Sequence, residues 1–444
     1  MKKEIGIIFI LLAIFALLGG VFFGSISALQ FIIPGFLDSI PFFKSRPLHV
    51  SLVIAWIFLS SIGGIYYYLP RYCNLPLYSA KLPRIHFWIF LLTGITILSC
   101  YIIGKFGGRE YWEFPPILAI PIFISWVLFG FNYFKTVIKQ AGQWPVYLWM
   151  WGTGIFFFLF TFSESYLWLI PYFRDNIVRD ITVQWKAYGA LVGSWNMLVY
   201  GTVIFLMERI KGDQSIAKSK LSFLMYFLGL TNLLFGWAHH IYIVPTHLWI
   251  RYFSYGISMT ELLILGNIIW NWKNSVTETK KNFHFLSFKF IAASDFWIFL
   301  NLALALVISV PAINILTHGT HITVAHAMGT TIGINTMILL ASCFFLIDDV
   351  TKHQYTLIQK KIITIGFWIM NLFLMIFWAS LILAGAEKGK LVIEDKLSFQ
   401  EIMQNISPYL TLFTIAGIGI FIGLLMITIP LLKTIKEYFK INKQ

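Results

Sequence analysis

Twelve apolar stretches, each about as long as a membrane is thick, constrain this chain more than any other feature of its sequence. A helix needs about 20 apolar residues to cross the hydrocarbon core of a bilayer. The segments between the stretches are short and contain no linker or second domain. The sequence therefore predicts an all-α membrane protein, with residues 1–444 forming one polytopic domain of twelve transmembrane helices. The predicted spans are 4–24, 49–69, 87–106, 115–137, 147–171, 184–208, 220–245, 250–272, 289–316, 322–347, 361–386 and 408–433.

Composition excludes two broad classes of protein. Only 12% of the residues are charged, whereas soluble domains carry about 25%, so a water-soluble globular protein is excluded. The net charge is +14, but the basic residues lie in short loops between apolar stretches, which is typical of membrane proteins. Nucleic-acid binding is therefore not expected. The first stretch is longer than the apolar core of a signal peptide and has no A-x-A cleavage site, so it is predicted to be a span.

The distribution of Lys and Arg predicts the orientation. With the N-terminus in the cytoplasm, 22 of the 33 basic residues lie at or near the cytoplasmic ends of the predicted spans and 11 at the opposite ends. This bias agrees with the positive-inside rule. The sequence thus predicts a multi-pass protein of a bacterial inner membrane with both termini in the cytoplasm.

Several histidines fall at a similar depth in the outer part of the predicted membrane. Ionisable groups in a bilayer are costly and usually functional, and neutral imidazole ligates metals and haem iron. A single intramembrane histidine is often only an interhelical hydrogen-bond partner. A transporter is a further alternative, but the chain lacks a convincing inverted repeat and its histidines lie off the midplane. The histidines at this depth are His49, His239, His240, His318, His321 and His326.

The segment A-H-A-M places two ligand-type residues on one helix. His326 and Met328 are two residues apart, or about 200° around an α-helix, so they face opposite sides. Both are suitable axial ligands for haem iron. One span could therefore ligate two haems, although a Met at this position is otherwise typical of a packed core.

Five ordered segments resemble the catalytic subunit of the haem-copper oxidase superfamily. The resemblance is strongest to the large subunit of bacterial nitric oxide reductases, followed by the C-family cytochrome oxidases. It implies a bundle like subunit I of these enzymes, which agrees with the twelve predicted spans. The segments are R-P-L-H-V-S-L at 46–52, G-R-E-Y-W-E at 108–113, W-A-H-H-I-Y at 237–242, S-M-T-E at 258–261 and T-H-G-T-H-I-T-V-A-H-A-M at 317–328.

The resemblance implies roles for individual residues. His49 would be an axial ligand of a low-spin haem b, and His326 the proximal ligand of a high-spin haem b. His239 and His240 would hold a non-haem Fe or Cu facing that haem. Glu110 would help to bind Ca²⁺, for which hard oxygen ligands are suited; alternatively, it belongs to a solvated loop.

Glu261 and Met328 complete the residues implied by the resemblance. Glu261 matches an acidic residue near the non-haem metal and would carry protons; the alternative is an interhelical hydrogen bond. Met328 stands where the family normally has a second histidine for the low-spin haem. That haem would be His/Met-ligated, would lack a sixth ligand, or would be absent.

The sixth span departs further from the family. It should supply a third histidine to the non-haem metal, but residues 180–196 contain none. Counting back from the histidine pair places Tyr188 or Gly189 at that position, and Val192 where nitric oxide reductases have a glutamate. Tyr188 is a candidate phenolate ligand or a packing residue. Two histidines alone are a poor fixed site for iron or copper.

Two classes of function follow. The leading hypothesis is a divergent nitric oxide reductase, with O₂ as the alternative gas. A separate membrane-anchored cytochrome c-type subunit would donate electrons, because the chain has no C-x-x-C-H segment for a covalent haem. The competing hypothesis is a non-catalytic haem membrane protein that relays electrons or senses a gas, which the changed sixth span favours.

Overall fold

The computed structural model describes residues 5–140, 142–242, 244–258, 260–352, 355–395 and 397–441. Twelve helices in this part of the chain are long and apolar enough to cross a membrane, which confirms the predicted all-α fold. Two predicted features lie outside the described residues, namely Met259 of S-M-T-E and residue 4 of the first span. The helices are α1 (Ile5–Ile32), α2 (Phe42–Tyr72), α3 (Leu82–Ile103), α4 (Pro116–Val137), α5 (Val146–Leu169), α6 (Ile177–Lys211), α7 (Lys220–Ile241), α8 (Leu248–Ser275), α9 (Phe285–Ser309), α10 (His321–Thr351), α11 (Leu357–Ile393) and α12 (Ser407–Ile441).

Many of the helices run beyond the apolar stretches. α2 begins at Phe42 rather than at residue 49, so His49 lies about two turns inside the helix instead of opening it. The added turns are stabilised by polar contacts, because Ser45 donates a hydrogen bond of 2.9 Å to Gln30 and accepts one of 2.8 Å from Ser27. A prediction based on runs of apolar residues misses such turns, because they contain polar side chains. These side chains can be buried here because a neighbouring helix provides their hydrogen-bond partners.

Two helices form the centre of the bundle. The most apolar windows of α6 and α10 are each 89% buried, whereas that of α3 is 22% buried and faces outward. The most extensive pairwise packing joins α1 to α2, α11 to α12, and α5 to α6, and α12 also packs against α1. The predicted site residues of α10 therefore belong to one of the two central helices of the bundle.

Three helices lose regular α geometry near their predicted functional residues. α7 ends in a 3₁₀ turn at Gly236–Ile241, and α8 is interrupted between Leu248–Ile257 and Thr260–Ser275. α10 changes from α-helix to π-helix at Gly329–Thr336. Short π segments occur frequently at functional sites.

Candidate functional site

Four of the predicted histidines meet at one pocket. His239 and His240 enter it from the end of α7, His318 from the segment before α10, and His326 from α10 itself. The structure thus brings together an adjacent pair of histidines and two others that lie far along the chain from that pair. The complete lining is His239, His240, Ile308, Ser309, Asn314, Thr317, His318, Thr323 and His326.

The 3₁₀ turn at the end of α7 presents the adjacent pair. Side chains of neighbouring residues on such a turn are about 120° apart, yet the ring centroids of His239 and His240 are only 4.2 Å apart. Nδ1 of each ring is buried and has no hydrogen-bond partner within the described ranges of the chain. Buried polar atoms are normally satisfied, so both nitrogens are available to a ligand.

Trp185 and His318 are parts of the site to which the sequence assigned no role. Trp185 lies parallel to His240, with ring centroids 5.0 Å apart and an interplanar angle of 10°, and meets His318 edge-on at 5.7 Å. The His240 and His318 centroids are 6.0 Å apart. Burial lowers the pKa of His318, which favours its neutral ring. Two features of the sequence could have pointed to His318, namely its depth, which is similar to that of the other histidines, and its place in the T-H-G-T-H segment.

Asn301 of α9 holds the backbone that carries His326. Its Nδ2 donates to the carbonyl oxygen of His326 at 3.0 Å and to Oγ1 of Thr330 at 2.8 Å. Nδ1 of His326 is buried and has no hydrogen-bond partner among the described residues. An imidazole that is not engaged by the surrounding protein in this way fits the role of an axial haem ligand. An amide in the middle of an apolar span was the signal that could have identified Asn301.

His49 is oriented by α1. Its Nδ1 lies 2.7 Å from the carbonyl oxygen of Gly20, so a proton on Nδ1 leaves the lone pair of Nε2 free. Metal-ligating histidines are typically oriented in this way. α1 passes so close that a Cβ added to Gly24 would lie 2.7 Å from the same Nδ1. These contacts fit an axial haem ligand at His49.

Met328 follows His326 on the α-helical segment His321–Met328. The α-helical geometry is consistent with two side chains on opposite sides of the helix, and Met328 packs against the hydrophobic core. Its ligation of the low-spin haem remains a prediction.

The third-ligand position of α6 is occupied by Gly189. A Cβ there would lie 3.5 Å from Cδ2 of His240 but only 2.6 Å from Cβ of Trp237. Tyr188 instead contacts the loop after α3, with its ring 5.0 Å from that of Tyr111. Adjacent residues of a helix point in different directions, so this contact supports the packing alternative for Tyr188. Ligation by Tyr188 remains a prediction without support from this geometry.

The donor set does not fit a three-donor metal centre. Among the described residues, no three His, Cys, Asp or Glu side chains are grouped closely enough to hold a metal ion. The pair of imidazoles alone is a poor fixed site for iron or copper. The non-haem Fe or Cu expected from the resemblance is therefore not supported by the arrangement of these side chains.

Glu110 lies in a charged cluster at the start of α2. Arg46 contacts Oε1 of Glu110 at 2.5 Å and Oε1 of Glu113 at 2.9 Å, so a guanidinium bridges the two carboxylates. Burial raises the pKa of Glu113, and Arg46 opposes that rise. The described residues contain no group of three metal-ligating side chains here, and Ca²⁺ at Glu110 remains a prediction without support from this geometry.

Glu261 begins the second half of α8 and is 3% exposed. Its Oε1 accepts a 2.8 Å hydrogen bond from Nδ2 of Asn232, while Oε2 is buried and has no partner among the residues described in the structure. The backbone carbonyl of Asn232 accepts from Gly236, the first residue of the histidine turn. Asn232 therefore connects the carboxyl group to the turn that carries His239 and His240.

Comparisons with known proteins agree with the twelve-helix fold. The family model described as cytochrome C and quinol oxidase polypeptide I matches residues 4–419. A nitric oxide reductase subunit of Stutzerimonas stutzeri is 23% identical, covering 93% of this chain and 90% of the relative. The Cbb3-type cytochrome c oxidase subunit CcoN1 of the same organism is 21% identical, covering 89% and 86%. A cryo-EM structure of a heme-copper terminal oxidase dimer matches 98% of this chain and 82% of that chain, with a TM-score of 0.74 and 16% identity.

Proposed function

The chain belongs to the cytochrome c and quinol oxidase polypeptide I family, and from this premise we propose that it reduces nitric oxide to nitrous oxide. One observation carries the proposal: His326 shares a pocket with His239 and His240. Nitric oxide is favoured over O₂ because the nitric oxide reductase subunit is 23% identical to this chain, whereas the CcoN1 oxidase subunit is 21% identical. The oxidase relatives make O₂ the competing substrate.

Two histidines would hold the cofactors. His49, with Nδ1 directed to Gly20, would ligate a low-spin haem b, and His326 a high-spin haem b. The haems would supply electron transfer and gas binding. Electrons would come from a separate membrane-anchored cytochrome c-type subunit, and the bundle would lie in a bacterial inner membrane with both termini in the cytoplasm.

The protein's own groups shape the pocket and supply protons. Two molecules of NO, two electrons and two protons give N₂O and water. Asn301 fixes the backbone at His326, and Trp185 fixes the ring of His240. Glu261 is connected through Asn232 to the histidine turn and would hold a proton at its free carboxyl oxygen. Because the non-haem donor set does not fit a metal, the proposal includes no step at such a centre.

Turnover of NO by the purified protein tests the proposal. With an artificial one-electron donor, we expect NO consumption and one N₂O for every two NO, measured with an NO electrode and by gas chromatography. His326→Ala should abolish turnover. His247→Ala is the control, because His247 is exposed at the start of α8. Reduction of O₂ without reduction of NO would contradict the proposal.

A gas-binding haem protein without turnover is the second candidate. Gly189 favours it, since the position that faces His240 lacks a ligand side chain. This candidate predicts that NO binds to the reduced haem while no N₂O forms. The same turnover experiment therefore separates the two functions.

A further inference from the structure

A second pocket lies at the opposite end of the bundle from the histidines. Its volume is about 180 Å³, more than ten times the roughly 10–15 Å³ that one water requires on the same measure. The walls come from the end of α2, the start of α5 and the last turn of α6. The short helix Ser215–Lys218 supplies the rim.

The pocket lies where the helices leave the membrane. Tyr72 is the last residue of α2, Tyr147 lies in the first turn of α5, and Arg209 lies in the last turn of α6. Tyrosines at helix ends are typical of the headgroup layer. The positive-inside pattern predicts that this end faces the cytoplasm, where basic pockets between helices recognise lipid headgroups.

One acidic and two basic side chains line the pocket. Glu208 is 2% exposed, and its Oε1 lies 3.2 Å from Nη2 of Arg209. A carboxylate removed from water in this way is stabilised by additional positive charge. Lys218 is exposed and contributes a second cation at the rim.

Arg209 has a donor left over for a ligand. Its guanidinium lies over the rings of Tyr72 and Phe205, at 5.7 Å and 5.3 Å from their centroids. Its Nε is buried and has no hydrogen-bond partner in the part of the chain that the structure describes. An arginine that lies over aromatic rings and has an unpaired N–H is suited to a phosphate oxygen.

We propose that this pocket binds the phosphoethanolamine headgroup of a membrane phospholipid. The phosphate would lie against Arg209 and Lys218, and the ammonium group against Glu208. A headgroup with one negative and one positive charge matches one carboxylate beside two basic side chains. Its acyl chains would continue along the outer surface of the bundle, because the pocket lies at the level of the headgroups.

Native mass spectrometry of the full chain in detergent tests this proposal. The probes are phosphatidylethanolamine and phosphatidylglycerol with identical acyl chains, and inorganic phosphate. Lys218→Gln should weaken binding of phosphatidylethanolamine about fivefold, as expected for one basic residue at a membrane surface. Lys220→Gln is the matched control, since Lys220 is equally exposed but does not line the pocket.

Glu208→Gln tests the ammonium subsite separately. We expect the wild-type protein to prefer phosphatidylethanolamine to phosphatidylglycerol, and the variant to lose this preference while still binding phosphatidylglycerol. Thermal midpoints of the variants establish that they fold, and Arg209→Gln provides a second variant that should weaken both lipids. Equal binding by Lys218→Gln and Lys220→Gln, or displacement of the lipid by inorganic phosphate, would overturn the proposal.

Discussion

Nδ1 of His49 lies 2.7 Å from the carbonyl oxygen of Gly20, so one transmembrane helix sets the orientation of an imidazole on the next. The contact explains how α2 can present Nε2 of His49 to a haem. It also makes the first helix part of the cofactor site, a role that the largely apolar sequence of this helix does not indicate.

Gly24→Ala should displace His49 and reduce the signal of the low-spin haem. The new Cβ would lie 2.7 Å from Nδ1 of His49, and overpacking of this kind costs about 1–3 kcal/mol. The reduced-minus-oxidised optical spectrum reports the effect. Gly94→Ala is the control, because a Cβ at Gly94 would have no neighbour within 4 Å among the described residues. An identical loss in both variants would contradict the assigned role of α1.

Gly189→His should not restore a metal centre. A side chain at 189 would meet Cβ of Trp237 at 2.6 Å and Cα at 3.1 Å, so the histidine turn would have to move. We expect a loss of stability of about 1–3 kcal/mol and no gain in bound iron or copper, measured by thermal unfolding and elemental analysis. An added Cβ at Gly256 would meet no atom of the described residues within 4 Å, so Gly256→Ala should cause no such loss. Stoichiometric metal in Gly189→His would contradict the geometry.

Tyr188→Phe should leave the gas-binding pocket unchanged. The ring of Tyr188 packs against Tyr111, and phenylalanine retains that contact. We expect a change in stability below about 1 kcal/mol and an unaltered spectrum of the NO-bound haem. A shifted NO spectrum in this variant would instead place the Tyr188 hydroxyl at the site.

Arg46→Ala should destabilise the outer end of α2. It would leave Glu110 and Glu113 together without their shared cation. We expect a loss of about 1–3 kcal/mol, between the values for exposed pairs and buried pairs. Arg174→Ala is the control, since Arg174 pairs only with its exposed neighbour Asp175 among the described contacts.

The loss in Arg46→Ala should depend on pH. Burial raises the pKa of Glu113 in the folded protein. The contribution of Glu113 to stability therefore falls as the pH rises from its pKa in the unfolded chain through its pKa in the folded protein. Removing Arg46 raises the pKa of Glu113 in the folded protein further, because Arg46 stabilises the charged carboxylate. Thermal unfolding should therefore show a larger deficit at neutral pH than below about pH 4, and a deficit that grows on acidification would contradict this sign.

The sequence predicted the helices better than the details of the site. Apolar length fixed the twelve spans, and motif order pointed to the histidines of α7 and α10. It could not place His318 against His240, because that contact depends on how the segment before α10 folds back. Nor could it distinguish Tyr188 from Gly189, since one residue of helical register changes the direction of a side chain by about 100°. The sequence also could not identify Arg46 as the partner of Glu110, because the two residues are 64 positions apart along the chain.

The NO-binding spectrum of His326→Ala, measured beside that of His49→Ala, is the most direct test of the proposed site. We predict that the wild-type protein contains a low-spin and a high-spin haem b. His326→Ala should lose the NO-binding haem and keep the other, and His49→Ala should do the reverse. An unchanged NO spectrum in His326→Ala would contradict the central claim that His326 and the histidine pair form the gas-binding site.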